Sequence, residues 1–165
     1  MNKKLYIAFI LAAFIISGCG KKAEEHYAEA SKLSKEEKYE EAIKIYEMIL
    51  KDYPKDKYAS VSAYDLAVIY QSLDIKNLTR EQRLNKAIEY FTMVFEKFPE
   101  SAEAPKSLFT AGFIYANELN DYDNGTKLYK LFIEKFPTNE LAASAQIELD
   151  NMGQSPEEIL KKNIR

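Results

Sequence analysis

Apolar residues recur along most of this chain at intervals of three and four, the period of an amphipathic helix. The clearest case is written three times. Ala42, Tyr46, Ile49 and Leu50 share one helical face, and Ala87, Phe91, Val94 and Phe95 repeat it. Gly125, Tyr129, Phe132 and Ile133 repeat it again. Each stretch closes on an aromatic-proline pair, Tyr53-Pro54, Phe98-Pro99 and Phe136-Pro137. Proline disfavours the α region for the residue before it, so helices are predicted over 41–53, 86–98 and 124–136, each stopping at its proline.

A second helix is predicted ahead of each of these. Residues 59–70 read ASVSAYDLAVIY and residues 104–115 read APKSLFTAGFIY, at matching offsets from the preceding proline. The first unit is shorter, with Tyr27, Ala30 and Leu33 on one face. Small residues at Ala30, Ala67 and Gly112 are expected to face small residues at Ala42, Ala87 and Gly125, so that paired helices approach closely. The second unit has a long connection between its helices, 72–83, with Asp74, Asn77 and Thr79 as breaking or capping residues. Residues 138–152 begin like another first helix, Ala142 matching Ala59 and Ala104, with no second helix after it. A lone final helix covers the open apolar end of a stack. Gly153 then suits a stop, and Ser155-Pro156-Glu157-Glu158 reads as a capping box opening a short helix to about residue 162. Through Ile159, Leu160 and Ile164 that tail is amphipathic, suited to docking on the last repeat or to binding a partner.

These positions resemble the tetratricopeptide repeat, whose pattern runs W-x2-L-G-x2-Y, A-x3-F, P. The second unit supplies Leu66, Tyr70, Ala87, Phe91 and Pro99, the third Gly112, Tyr115, Tyr129 and Pro137, and the first Ala42, Tyr46 and Pro54. No Trp opens any unit, Ala30 and Ala67 stand where Gly is usual, and the units are longer than the 34-residue period. The fold class this implies is all-α, an α-solenoid of about three and a half helix-turn-helix repeats.

The start of the chain is an address. Lys3 and Lys4 precede an uncharged apolar run, Leu5 to Ile16, which is short for a bilayer span and suits a secretory signal. Ile16-Ser17-Gly18-Cys19 follows, and small residues before a lone Cys resemble the lipobox of bacterial lipoproteins. That resemblance implies cleavage before Cys19 and a covalent lipid on it. Gly20 rather than Asp in the next position implies sorting to the outer membrane, on its periplasmic face; in a cell with one membrane the anchor holds the outer face of that membrane. The expected organisation is a signal peptide over 1–18, a lipidated linker over 19–23, repeats with a terminal capping helix over 24–152 and a tail over 153–165.

Composition narrows the chemistry. The 165 residues are 47% hydrophobic and 30% charged, which excludes a disordered chain. The formal charge is −3, and loss of Lys3 and Lys4 with the signal brings it to −5, so neither nucleic acid nor anionic lipid is an expected partner through charge. A single His and a single Cys exclude an internal disulfide and any two-His site. His26 with Glu24, Glu25 and Glu29 lacks further ligands of the right kind for a metal. No glycine-rich phosphate loop is present, and Gln146 and the asparagines offer no nucleophile-base pair. No enzyme activity, no metal and no cofactor beyond the Cys19 lipid are expected.

What remains is surface. In tetratricopeptide stacks the first, or A, helices line a concave groove. Taking Ala30, Ala67 and Gly112 as equivalent puts Tyr27, Tyr64 and Phe109 along that groove, with Val68, Phe113, Gln71 and Asn117 beyond them and Lys106 at the edge. Aromatic anchors with a few amides suit an extended or helical peptide; the same rings would also serve as core between repeats. The expected role is a lipid-anchored envelope scaffold that binds partner proteins or peptides. The alternative is a lipoprotein holding a small lipid or glycan between its helices. A narrower resemblance is to BamD-type outer-membrane assembly lipoproteins and to the repeat domain of the Tol-Pal periplasmic coordinator. Both are Cys-anchored or periplasmic chains whose long repeats end in Y/F-P followed by A-x-x-A, and they imply outer-membrane protein assembly or envelope maintenance as the setting.

Overall fold

The computed structural model describes residues 22–163. The signal, the lipobox with Cys19, and Ile164 lie outside the described residues. Within them the chain is helical, in the order α1 (Ala23–Lys35), α2 (Tyr39–Asp52), α3 (Lys57–Ser72), α4 (Arg80–Lys97), α5 (Ala104–Phe113), a π-helical turn (Ile114–Glu118), α6 (Tyr122–Lys135), α7 (Ala142–Asp150) and α8 (Pro156–Asn163). The three aromatic-proline pairs end α2, α4 and α6 where the sequence places them. Tyr53, Phe98 and Phe136 are the C-cap residues, each donating its backbone N–H to the carbonyl four residues back. Side-chain caps start α3, α4 and α6. Asp56 accepts from Tyr58 N at 2.9 Å, Asp121 accepts from Asn124 N at 3.1 Å, and Thr79 with Gln82 forms a reciprocal capping box.

Each helix packs against the next in chain order, α1 on α2 through to α6 on α7, with α1 also reaching α3. The result is an α-solenoid of three tetratricopeptide-type hairpins, α1/α2, α3/α4 and α5/α6, followed by the unpaired α7. The thrice-written face supplies its core. Tyr46, Phe91 and Tyr129, and beneath them Ile49, Val94 and Phe132, are all 0–1% exposed. Burying each such side chain contributes about 1.5–3 kcal/mol. The small residues Ala30, Ala42, Ala67 and Ala87 are fully buried between paired helices.

Four expectations are corrected. The connection in the middle unit is shorter than 72–83, because α4 begins at Arg80; the Thr79 capping box adds a turn ahead of the periodic face. Arg83, expected in that connection, is instead a buried residue of α4. Its guanidinium donates to Asp74 Oδ1 at 2.8 Å and to the Tyr70 carbonyl at 3.3 Å, holding the loop against α3.

The second correction concerns Gly112 and Gly125, which do not face each other. A Cβ on Gly125 would stand 2.9 Å from the Cβ of Ala116 and 3.1 Å from its backbone N, whereas one on Gly112 would meet the Tyr129 ring at 3.2 Å. The physical reason is an extra residue. Ala30 and Ala42 are twelve positions apart and Gly112 and Gly125 thirteen. The π-turn absorbs the surplus, with Leu119 N donating to Ile114 O at 3.0 Å across five residues. The third correction is at the A helices. α3 starts earlier than predicted, at Lys57, and the α-helical part of the third A helix ends at Phe113, two residues short.

The fourth correction is the last repeat-like helix, which occupies 142–150 rather than 138–152. Asn139 turns the chain by accepting from Leu141 N at 2.9 Å. Gly153 has φ 71°, a left-handed turn residue. Beyond it, Ser155 and Glu158 exchange the backbone bonds of a capping box at the start of α8. Ile159 faces a hollow lined by Ala116, Tyr122 and Ile147, while Leu160 is exposed. The tail thus meets the last repeat along one edge only.

Candidate functional site

The eight groove residues anticipated from sequence all sit on A helices, α1, α3 and α5 with its π-turn, but their surroundings differ. Tyr27, Tyr64 and Phe109 are half-buried and each stands on the second, or B, helix of its own repeat. The Tyr27 ring lies 5.8 Å from that of Tyr46, Tyr64 lies edge-on to Phe91 at 5.7 Å, and Phe109 lies 5.3 Å from Tyr129 and 5.7 Å from Phe132. These rings therefore join the A and B helices while staying partly accessible. Val68 and Gln71 are also half-buried, whereas Lys106, Phe113 and Asn117 are exposed. Phe113 is 36% exposed, which for so large an apolar ring needs a reason.

Charge and amide groups tie one repeat to the next along this face. Tyr27 Oη donates to Asp65 Oδ2 at 2.9 Å, joining α1 to α3. Gln71 Nε2 donates to Glu118 Oε1 at 3.0 Å, and Arg80 donates to the Glu118 carboxylate at 3.0 Å and its carbonyl at 2.8 Å. Asn117 Nδ2 donates to Glu148 Oε2 at 3.1 Å, joining the π-turn to α7. Gln71 and Asn117 are thus partly engaged between repeats. Lys106 Nζ stands 5.4 Å above the Tyr64 ring.

Asp65, Glu103, Glu118 and Glu148 were not singled out from sequence. Asp65 had a signal: it is the one charge in the otherwise apolar run 59–70. Burial pushes its carboxyl up from the ordinary range, against hydrogen bonds from Tyr27 and Tyr46 that pull it down, and the charge of Glu103 adds to the rise. A raised carboxyl pKa means that the folded chain holds the proton more tightly than the unfolded one. Ionised Asp65 therefore disfavours folding above that pKa, and the penalty is relieved as pH falls through it. Burial raises the Tyr27, Tyr46, Tyr90 and Tyr129 hydroxyls as well, and the buried Tyr129 hydroxyl has no hydrogen-bond partner.

Elsewhere the titratable groups are structural. Tyr90 Oη donates to Glu47 at 3.0 Å across α4 and α2, and His26 packs 5.8 Å from the Tyr53 ring. Among the described residues no group of three or more His, Cys, Asp or Glu could hold a metal ion.

A fold of stacked helical hairpins with an aromatic-lined A-helix face defines a repeat scaffold. The tetratricopeptide repeat family matches the chain at residues 27–56 and 106–139. The two stretches cover the first and third hairpins, and the middle one, with its inserted connection at 73–79, lies between them. No curated protein matches the chain. Tetratricopeptide repeats commonly mediate protein–protein interaction, and the helical hairpins of the two matched stretches have the architecture of such a scaffold.

Proposed function

We propose that this chain is a lipid-anchored scaffold of the bacterial cell envelope that binds a partner protein through an extended or helical segment laid along its A helices. The observation that carries the reading is the half-buried rings of Tyr27, Tyr64 and Phe109 on successive A helices, with the exposed Phe113, Lys106 and Asn117. Such a row offers rigid apolar anchors at repeat spacing, with amides and a charge to set register. The lipobox-like Ile16-Ser17-Gly18-Cys19 supports anchoring at Cys19, in the outer membrane of a two-membrane cell. An anchored groove raises the local concentration of a membrane-bound partner without any additional contact. Assembly of outer-membrane proteins is one setting for such a scaffold.

Two experiments test the two halves. Cys19→Ala should abolish incorporation of radioactive fatty acid; continued labelling would remove the anchor from the proposal. Photo-crosslinking residues placed at Val68, Phe113 and Asn117 should trap a partner in cells. The same residue at Lys51 or Lys130, on exposed sides of the B helices, should trap far less. Equal trapping from both sides would sink the groove. Lys106→Ala is the first variant for partner loss, since its side chain is exposed and its truncation costs within about 0.5 kcal/mol of stability; Phe113→Ala, at 36% exposure, gives up packing as well and is compared at a temperature well below its melt. Phe109→Ala is unsuited to that purpose, because its ring stands on the fully buried Tyr129 and Phe132.

A further inference from the structure

We infer that α8 is an intramolecular strap: its Ile159 occupies the end of the A-helix groove at α7, and a bound partner segment must displace it. The inference rests on the groove reading above and adds a competitor built into the chain itself.

The repeat register carries the groove past the third hairpin. Five residues after Ala59 and Ala104 stand Tyr64 and Phe109, and five after Ala142 stands Ile147. Ile147 is the next position of that row, and at 59% exposure it is more open than either ring. Glu148 beside it accepts from Asn117 of the π-turn, so α7 adjoins the third A helix through a polar link like those at the earlier seams. At the preceding seam Arg80, the first residue of α4, donates to the Glu118 carboxylate and carbonyl, and Gln71 donates to the same carboxylate. α6 begins with Tyr122 instead. Beside it lies a hollow of about 270 Å³ whose lining includes Asn117, Tyr122, Ile147, Glu148 and, from α8, Ile159.

The sequence gives the tail a reason to turn this way. In the second and third hairpins a buried small residue, Ala67 or Gly112, lies eight positions after the matching alanine, where the A helix meets its B helix. Asp150 holds that position in α7 and is exposed, so α8 cannot pack on α7 as a B helix would. The left-handed turn at Gly153 carries the chain past the Tyr122 ring, which a Cβ at Gly153 would meet at 3.6 Å. Ile159 is then half-buried at the hollow, while Leu160 stays 62% exposed. Residues 160–165 carry Lys161, Lys162 and Arg165 and no acid, opposite in sign to the Glu148 carboxylate that lines the hollow. Among the described residues the closely packed helix pairs run from α1 on α2 to α6 on α7 and leave α8 out. A helix of 8 residues with so little support is marginal by itself, so it can leave the hollow while the repeats stay folded. The seat it vacates suits an aliphatic side chain of the partner, the chemistry that Ile159 itself presents.

A photo-crosslinking residue at Asn117 reports both occupants. In the purified full chain in detergent it should link to residues 154–163 of the same chain, read by mass spectrometry of the digested monomer. The same residue at Val68, in the middle repeat, should give no such link. Ile159→Asp should lower the link roughly tenfold, because a charge replaces a half-buried apolar side chain. Leu160→Asp, at an exposed position, should leave it unchanged. In cells Ile159→Asp should raise partner trapping from Asn117 at least about twofold, since a seat held by the tail in half or more of the molecules halves the apparent affinity. The melt of Ile159→Asp should stay within about 3 °C of the unsubstituted chain; a larger drop would make α8 part of the repeat core and overturn the inference. It is overturned equally by a tail link that survives Ile159→Asp, or by partner trapping that stays level or falls in that variant. If Val68 and Phe113 trap a partner while Asn117 gives no tail link, only this inference falls. If the tail link depends on Ile159 while partner trapping is equal from Asn117 and Lys51, the groove reading falls instead.

Discussion

Phe91→Ala is expected to cost about 3–5 kcal/mol of stability, the largest effect of any single truncation proposed for this chain. Phe91 is 1% exposed at the centre of the middle repeat, among Leu66, Ala67, Tyr70 and Ala87. Removing it leaves a cavity bounded by helices whose positions are fixed on both sides by other repeats, so the walls cannot collapse inward. At this chain length each kcal/mol lowers Tm by roughly 2–4 °C, and a drop on the order of 10 °C is expected in thermal denaturation followed by circular dichroism. The Tyr64 ring, which stands edge-on to Phe91 at 5.7 Å, loses its support, so partner trapping from Val68 should fall too. A melting temperature within 3 °C of the unsubstituted chain would contradict this account of the core.

Gly125→Val should cost about 3 kcal/mol by overpacking. The atoms in the way belong largely to the backbone of Ala116, which a rotamer change cannot move. The α6 helix must then back away from the π-turn, and the contacts that lead from that turn to Glu118 and Glu148 shift with it. Gly112→Ala is the control. Its new methyl would stand nearest the Tyr129 ring at 3.2 Å and Leu128 Cβ at 3.4 Å, a crowding of a few tenths of an ångström without the backbone collision met at Gly125. The gain in helix propensity, about 1 kcal/mol, offsets that crowding. Thermal melts of the two variants should therefore separate clearly. Similar melts would mean that α6 and the π-turn are not in close approach.

The elements most legible in the sequence were those set by local chemistry. Tyr53, Phe98 and Phe136 announced the ends of three helices because proline constrains its neighbour whatever the tertiary setting. Tyr46, Phe91 and Tyr129 announced the core because a fixed offset from each proline repeated. The π-turn was hidden because one extra residue between Gly112 and Gly125 can be housed in a loop or in a widened helical turn, and only packing against α6 decides. Arg83 was hidden because a cation in a helical pattern ordinarily faces water; here Asp74 and the Tyr70 carbonyl draw it in. From sequence the A-helix rings could line a groove or serve as core; that each stands on the B helix of its own repeat depends on the rotation of each A helix over its B helix. Asp65 belonged to the same apolar run as Leu66 and Tyr70, and its acidic side chain was the departure that marked a special position.

The packing of each helix mainly on its neighbours in chain order has a mechanical corollary. The seams between hairpins are packed through the same apolar core as the hairpins themselves, with polar links such as Tyr27 to Asp65 and Asn117 to Glu148 across them. Small rotations at successive seams add along the stack, so its curvature behaves as a soft spring. A bound segment can draw the spring tighter or open it, and a pull on one end is felt at the other as a change in the width of the trough.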